Sequence, residues 1–331
     1  MLVCPLKLMS KRALITGITG QDGSYLAELL LESGYEVFGV VRDECPEKLD
    51  NINHIKEHLH LIKGDLKDLK SLTGAIEFSR PQEVYNLAAQ TAVHSSWDQI
   101  VETGEISGLG VVHLLEAIRT VDPEIHFFHA SSSELYGLVE ESPQTESTPF
   151  RPINPYGTAK LYAHWLTSNY RHHYGMFACA GILYNHESPR RGSNFVTRKI
   201  TRGVAHIKLG LQDKLRLGNL DARRDWGFAG DYVEAMWYML QANSPEDYVI
   251  ATGVDRSVRD FCDAAFACAG LNWEEFVVID QSFYRAEEGK VLVGDNSKAR
   301  EKLEWQPQTS FKEMIEEMLA KDIEAANAKA G

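Results

Sequence analysis

The stretch Arg12-Ala-Leu-Ile-Thr-Gly17-Ile-Thr-Gly20-Gln-Asp-Gly23-Ser-Tyr-Leu-Ala-Glu-Leu-Leu-Leu-Glu32 decides how this chain is read. Its first five residues form an apolar run of strand length. A turn with three glycines follows. Asp22-Gly23-Ser24 then opens a helix with apolar residues on one face, and Gly34 closes it. In a strand–glycine turn–helix unit the backbone passes close to a pyrophosphate, and the helix N-terminus attracts its charge. The expected dinucleotide contacts here are Gly17, Thr19, Gly20, Gln21, Asp22 and Gly23.

The same rhythm continues outward. Apolar runs recur at Arg12–Thr16, Tyr35–Val41, His58–Ile62, Glu83–Ala88, Ile125–Ala130 and Phe177–Leu183, and the first four begin about 24 residues apart. That spacing holds one strand, turn, helix and loop, so it predicts βαβ repetition and a doubly wound parallel sheet of the Rossmann type. Longer helices are predicted around Trp97–Thr120 and Pro155–Tyr174. After residue 184 the alternation stops, and helices such as Asp231–Gln241 and Val258–Gly270 mix with short strands. With 331 residues and about 150 per domain, two parts are expected. Residues 11–183 plus about 227–255 read as a dinucleotide-binding domain, and 184–226 plus about 256–325 as a smaller substrate domain.

Composition narrows the function. Hydrophobic residues make up 44% and charged residues 24%, so the chain can bury a core and is not disordered. Its net charge of −13 repels phosphate backbones and argues against a nucleic-acid partner. No apolar run is long enough to span a membrane. The apolar start MLVCPLKLM precedes its basic residues Lys11 and Arg12, the reverse of a signal peptide, so a cytoplasmic location is expected. Five cysteines, an odd count without Cys-x-x-Cys, read as reduced, mostly buried thiols, and no His-Glu-x-x-His spacing points to a metal.

Two residues after the second strand point to different cofactors. Asp43 stands twenty residues after Gly23, where a carboxylate holds a ribose 2′-hydroxyl and selects NAD. Arg42 beside it pairs instead with the 2′-phosphate of NADP. Both choices stay open at this point. Asp65 and Leu66 follow the third strand and are expected near the adenine. Leu87, Ala88 and Ala89 end the fourth strand with small residues that let backbone lie against the cofactor.

A reacting pair comes next. Tyr156-Gly-Thr-Ala-Lys160 puts a phenol and an ammonium four residues apart on one helical face. A tyrosine of ordinary pKa about 10 is a weak base at neutral pH, and a nearby Lys⁺ favours its phenolate. Ser132 and Glu134 fall at the end of the fifth strand, where open parallel sheets bind ligands. Glu134 reads as a second acid/base that simple hydride transfer does not need. Residues 190–224 hold ten Lys or Arg and two Asp, so this segment is +8 within an acidic chain. The pairs Arg190–Arg191 and Arg223–Arg224, beside Gly192 and Gly218, read as a pocket for an anionic ligand.

The G-x-x-G-x-x-G spacing and the stretches YNLAAQ, NPYGTAKLYAHW, NHESPRRGSNFVTRKI and RDWGFAGDYVEAMW resemble GDP-mannose 4,6-dehydratases, which are extended short-chain dehydrogenase/reductases. The resemblance covers nearly all of the chain after the leader. It implies a lyase that converts GDP-mannose to GDP-4-keto-6-deoxymannose through an NADP cofactor with no net redox change. It implies catalytic roles for Ser132, Glu134, Tyr156 and Lys160, with Ser132 standing where the family usually has Thr. It implies GDP-sugar contacts at Asn185, Val196, Lys199, Arg224, Arg285 and Glu288, to which the basic segment adds Arg191 and Arg216. It also implies that the two long helices pack against a twin, giving at least a homodimer, with a tetramer open. The apolar residues Val111, Leu114, Leu115 and Ile118 on one helix, and Leu161, Tyr162 and Trp165 on the other, supply that contact and the packing on the sheet, since some of them must face the sheet.

Two stretches depart from the family pattern. The loop after the second strand reads Arg42-Asp-Glu-Cys-Pro46 where the family has Arg-Arg and a Ser-rich run, and Arg285-Ala-Glu-Glu288-Gly-Lys290 replaces Arg-Pro-x-Glu-Val-Asp. The second change leaves room for a GDP-heptose in place of GDP-mannose. A GDP-sugar reductase or epimerase without elimination is the other enzyme reading, and a non-catalytic dinucleotide-binding regulator is a third.

Overall fold

The computed structural model describes residues 10–42, 49–91, 93–283 and 291–330. Asp43, Arg285, Glu288, Cys4, Cys45 and the apolar leader lie outside the described residues.

The first half alternates strand and helix as expected. β1 (Arg12–Thr16), α1 (Gln21–Glu32), β2 (Glu36–Val41), β3 (Leu59–Lys63), α2 (Leu69–Ser79) and β4 (Glu83–Asn86) lead to α3 (Ile100–Gly104) and α4 (Gly110–Val121). β5 (His126–Ser132), α5 (Pro155–Tyr174) and β6 (Ala178–Leu183) follow. The chain then leaves the sheet through β7 (Asn185–Glu187), α6 (Val196–Lys208), β8 (Leu215–Leu217) and β9 (Arg223–Phe228). It returns by α7 (Ala229–Gln241) to β10 (Tyr248–Ile250). The last part holds β11 (Asp255–Ser257), α8 (Val258–Ala269), α9 (Trp273–Phe276), β12 (Val277–Ile279), α10 (Ser297–Leu303) and α11 (Phe311–Ala330).

Seven strands make one parallel sheet in the order β10-β6-β5-β4-β1-β2-β3. The order reverses between β1 and β4, and that switch point is where an open α/β sheet leaves a crevice at its carboxyl edge. One face is covered by α1 and α7, with Leu26, Leu30, Tyr232 and Met236 in its core. The other is covered by α2, α4 and α5 around Leu72, Leu114, Phe127 and Ala163. A separate apolar cluster, with Ile200, Val204, Phe261, Phe266 and Met318, holds α6, α8 and α11 together. Two small sheets, β11-β9-β7 and β12-β8, sit beside it.

Two expectations change. The helix expected at Trp97–Thr120 is interrupted by a π-helical turn at Glu105–Leu109. There Gly110 lies so close to Leu66 that a Cβ would stand 2.8 Å from the Leu66 Cβ. Val111, Leu114, Leu115 and Ile118 face the sheet and are fully buried, so they are not available to a twin. The outward apolar face belongs instead to Ile100, Val101, Leu109, Tyr162 and Trp165. Cys179 and Cys262 are buried free thiols, and Cys268 is half-buried.

Candidate active site

The glycine turn is built for close approach. Gly17 has φ +75°, and a Cβ there would stand 2.7 Å from the Ala88 nitrogen. At Gly23 a Cβ would come within 2.2 Å of the Gly17 oxygen. The turn is pinned from below. Thr16 Oγ1 donates to Asn86 Oδ1 at 2.7 Å and accepts from the Ala88 amide at 3.3 Å. Helix α1 starts one residue earlier than expected, with Gly20 as its N-cap and no side-chain cap. Its first amides are therefore open to an anion, which suits a pyrophosphate.

The side chains of Gln21 and Asp22 turn away from that end. Asp22 Oδ2 lies 3.0 Å from His186 Nε2, a part-buried contact that is an ion pair when the ring is protonated. Burial works against the Asp22 charge, but His186, the Gln21 amide and Arg191 together hold the carboxyl below its ordinary value. Burial likewise lowers His186, and Asp22 more than reverses this, so the ring ends above its ordinary value. His186 was not singled out in the sequence, where only its place in NHESPRRG marked it.

Asp65 behaves as a loop cap, with Oδ1 accepting the Lys67 amide at 2.9 Å. Leu66 is buried, and its carbonyl meets His113 Nδ1 at 2.8 Å. Arg42 is exposed at the end of β2. Leu87 and Ala89 flank Ala88 at the carboxyl end of β4.

The residues expected to react come together at the end of β5. Asn154 caps α5: its Oδ1 accepts the Gly157 amide at 2.7 Å, and its Nδ2 donates to Glu134 Oε2 at 2.8 Å. Pro155 at the helix start and Gly175 at φ +69° complete the signals that bound this helix. Ser132 Oγ accepts the Glu134 amide at 3.2 Å, and the same hydroxyl acts to lower the Tyr156 phenol.

The phenol differs from expectation. Burial pushes Tyr156 up to about 12, with the Glu134 and Asp22 charges adding to that and Ser132 and Arg191 opposing it. Lys160 is held down at about 8 by burial, and its Nζ donates to the Ala130 carbonyl at 2.7 Å. Its Nζ stands 5.9 Å from the Tyr156 ring centroid. In the chain alone, desolvation thus outweighs the help that Lys160 was expected to give the phenolate.

The basic segment divides in two. Arg190 pairs with Glu28 at 2.7 Å and stacks 4.0 Å over Tyr25. Arg198 pairs with Asp322, and Arg223 with Asp255. These three charges are used inside the fold. Arg191 lies 3.3 Å from Glu187 and 3.7 Å over Phe195, and it acts on Tyr156, Asp22 and His186 alike. Lys199 sits on the first turn of α6, which Val196 opens, with its Nζ 3.7 Å over the Phe283 ring. Arg224 Nη1 donates to the Arg223 carbonyl at 2.7 Å, and the residue bridges to Leu292. Among the described residues neither Lys199 nor Arg224 has a carboxylate partner. Arg216 is mostly exposed, 3.6 Å from Asp280. Asn185 opens β7 beside Trp226.

A family model described as GDP-mannose 4,6 dehydratase matches residues 14–318. GDP-mannose 4,6 dehydratase 2 of Arabidopsis thaliana is 51% identical over 328 residues, 96% of this chain and 88% of that protein. The human GDP-mannose 4,6 dehydratase is 49% identical, over 94% of this chain and 91% of its own. Among solved structures, a Thermus thermophilus UDP-glucose 4-epimerase in complex with NAD superposes with a TM-score of 0.83. It is 26% identical and covers 94% of this chain and 98% of its own. No helix among the described residues is long and apolar enough to cross a membrane.

Proposed function

The chain belongs to the GDP-mannose 4,6-dehydratase family, and from that premise we propose that it dehydrates GDP-mannose to GDP-4-keto-6-deoxymannose through a bound NADP. One observation carries the reading. Asn154 ties the Glu134 carboxylate to the helix that bears Tyr156 and Lys160, so two acid/base groups share one support. A reductase or epimerase needs only one of them.

The turn fits a dinucleotide because its helix start is uncapped and Gly17 leaves backbone room beside Ala88. Arg42, exposed at the end of β2, favours a 2′-phosphate and hence NADP. A nicotinamide held by the glycine turn, Tyr156 and Lys160 would supply a reversible store for the hydride that leaves C4 and is regained at C6. Tyr156 takes the proton of the C4 hydroxyl, which Ser132 holds by a hydrogen bond. Lys160, with one donor on Ala130 and two to spare, orients the ribose and stabilises the phenolate. The resulting 4-ketone acidifies the C5 hydrogen. Glu134 removes that proton and passes it to the C6 hydroxyl, which leaves as water. C5 regains one proton, which balances the proton that Tyr156 took from the C4 hydroxyl, so both groups return to their starting state and the net loss is one water. Arg191, Lys199 and Arg224 take the diphosphate side, with Asn185, Val196 and Arg216 around it. Arg285 and Glu288 keep the roles that the family implies. The residues 184–226 and about 256–325 serve as the part that holds the GDP-sugar.

A second copy of the chain covers the outward face of Ile100, Val101, Tyr162 and Trp165, which is too apolar to leave in water. The chemistry is tested by incubating the protein with GDP-mannose and no reductant. The expected product is lighter by one water, without net reduced cofactor. A product lighter by two hydrogens, with one reduced cofactor per turnover, overturns the reading. Mass spectrometry of the co-purifying dinucleotide tests NADP against NAD.

A further inference from the structure

The Gln21 side chain joins two parts of the molecule. Its Nε2 donates to the His186 carbonyl at 3.0 Å, and its Oε1 accepts from Ser188 Oγ at 2.8 Å. Next to it, Asp22 holds His186 Nε2 at 3.0 Å. Two residues beyond Ser188, Arg190 reaches back to Ser24 Oγ at 3.0 Å and to Glu28 Oε1 at 2.7 Å. The first two turns of α1 are thus fastened, side chain by side chain, to residues 186–190. A carboxylate in the first turn of a helix ordinarily serves that helix by meeting its free amides. Asp22 serves the neighbouring segment instead, and the amides of α1 stay uncapped. The fastened segment lies between Asn185 and Arg191, both assigned to the GDP-sugar side.

We propose that Gln21 and Ser188, backed by the Asp22–His186 pair, are positioning residues that couple the dinucleotide turn to the GDP-sugar segment, so that filling one half of the site tightens the other. This rests on the two ligands assigned above. A pyrophosphate on the first amides of α1 orders the turn that carries Gln21. Gln21 then holds residues 186–188 in place, so their ordering is already complete when the second ligand arrives. The effect is reciprocal, since coupling between two binding sites acts equally in both directions.

The test is calorimetric titration of GDP into the full chain, with and without saturating NADP⁺. It is run on the wild type, Gln21→Ala, Ser188→Ala and the double variant, each checked for a cooperative thermal transition. In the wild type NADP⁺ lowers the Kd for GDP. Ser188→Ala shrinks that ratio by about 2- to 10-fold, the worth of one hydrogen bond, and Gln21→Ala, which also loses the bond to the His186 carbonyl, shrinks it at least as much. The double variant shrinks it no further than Gln21→Ala, because Gln21→Ala already removes the bond that Ser188→Ala would break. Gln21→Met keeps the length of the side chain without its polar atoms and shrinks the ratio as Gln21→Ala does, which preserves the test if Gln21→Ala does not fold. A wild type that binds both ligands with no mutual effect overturns the coupling and leaves the functional reading standing. So does a ratio that the variants leave unchanged. A wild type that binds neither GDP nor NADP⁺ overturns the functional reading and the coupling with it.

Discussion

Asn154 donates to Glu134 at 2.8 Å with one side-chain atom and caps the helix of Tyr156 with the other, at 2.7 Å. The carboxylate and the phenol therefore move as one unit, and substitutions should separate cap from orientation. Asn154→Ala loses about 0.5–2 kcal/mol of stability with the cap, and it loses turnover as Glu134 is released. Asn154→Ser restores the cap and the stability but leaves turnover low. Glu134→Gln costs about 10²–10⁴-fold in turnover yet still oxidises C4, whereas Tyr156→Phe blocks that first step. Single-turnover absorbance of reduced nicotinamide distinguishes the two. If Glu134→Gln forms none, its carboxylate acts before elimination.

Lys160 should mark the pH dependence of stability. Burial holds it at about 8 against an ordinary 10.5. Between those values the unfolded chain keeps a proton that the folded chain has released, so raising the pH through this window stabilises the fold. Lys160→Met should be more stable than the parent below pH 8, with an advantage that shrinks toward pH 10.5. Tyr156 acts in the opposite sense: held at about 12 against 10.0, it costs the parent stability as pH rises above 10. Denaturant midpoints of the cofactor-free protein across this range give the answer. A constant difference between parent and Lys160→Met would mean that Lys160 titrates normally.

Adjacent arginines on β9 should differ. Arg224→Ala should weaken GDP and GDP-mannose alike, by about 10- to 150-fold, if a charge-assisted bond of roughly 1.5–3 kcal/mol is lost. Arg223→Ala should leave GDP affinity as it was, since that guanidinium is bound to Asp255. Calorimetry with GDP decides, and equal losses at both positions would mean a general charge effect.

Assembly should depend on the face that carries Val101, 74% exposed, and Trp165, 50% exposed. Trp165→Glu places a charge in that contact and should yield monomers by light scattering at micromolar concentration. Leu114→Ala, on the buried side of α4, should lower stability by about 2–5 kcal/mol without changing the association state. A wild type that is monomeric would remove the twin altogether.

Much of this was legible in the sequence, and the remainder has a common cause. The β1 turn and α5 were legible because their signals are local: glycines at fixed offsets, Asn154 before α5, Pro155 at its first position, and Gly175 after it. The π-helical turn at Glu105–Leu109 leaves the apolar spacing around it intact, and only Gly104, Gly108 and Gly110 hinted at a crowded crossing. Which side of α4 meets the sheet depends on packing partners that periodicity does not name. The Arg190 and Arg198 partners lie 162 and 124 residues away, so no local pattern could separate them from a ligand site. The shift of Tyr156 was missed for a related reason: spacing along a helix places the lysine but says nothing about how dry the phenol is.

The carboxylates that occupy the arginines have a kinetic consequence. Of the ten cations between 190 and 224, five are already matched with Glu28, Glu187, Asp322, Asp280 and Asp255. At long range an incoming GDP-sugar therefore meets a body of charge −13 whose basic segment is already half balanced. Attraction begins only within about 10 Å at 0.1 M salt, near Lys199 and Arg224. Added salt then shields the distant repulsion more than the close contacts. The encounter rate should rise with ionic strength before it falls, the reverse of a steered enzyme.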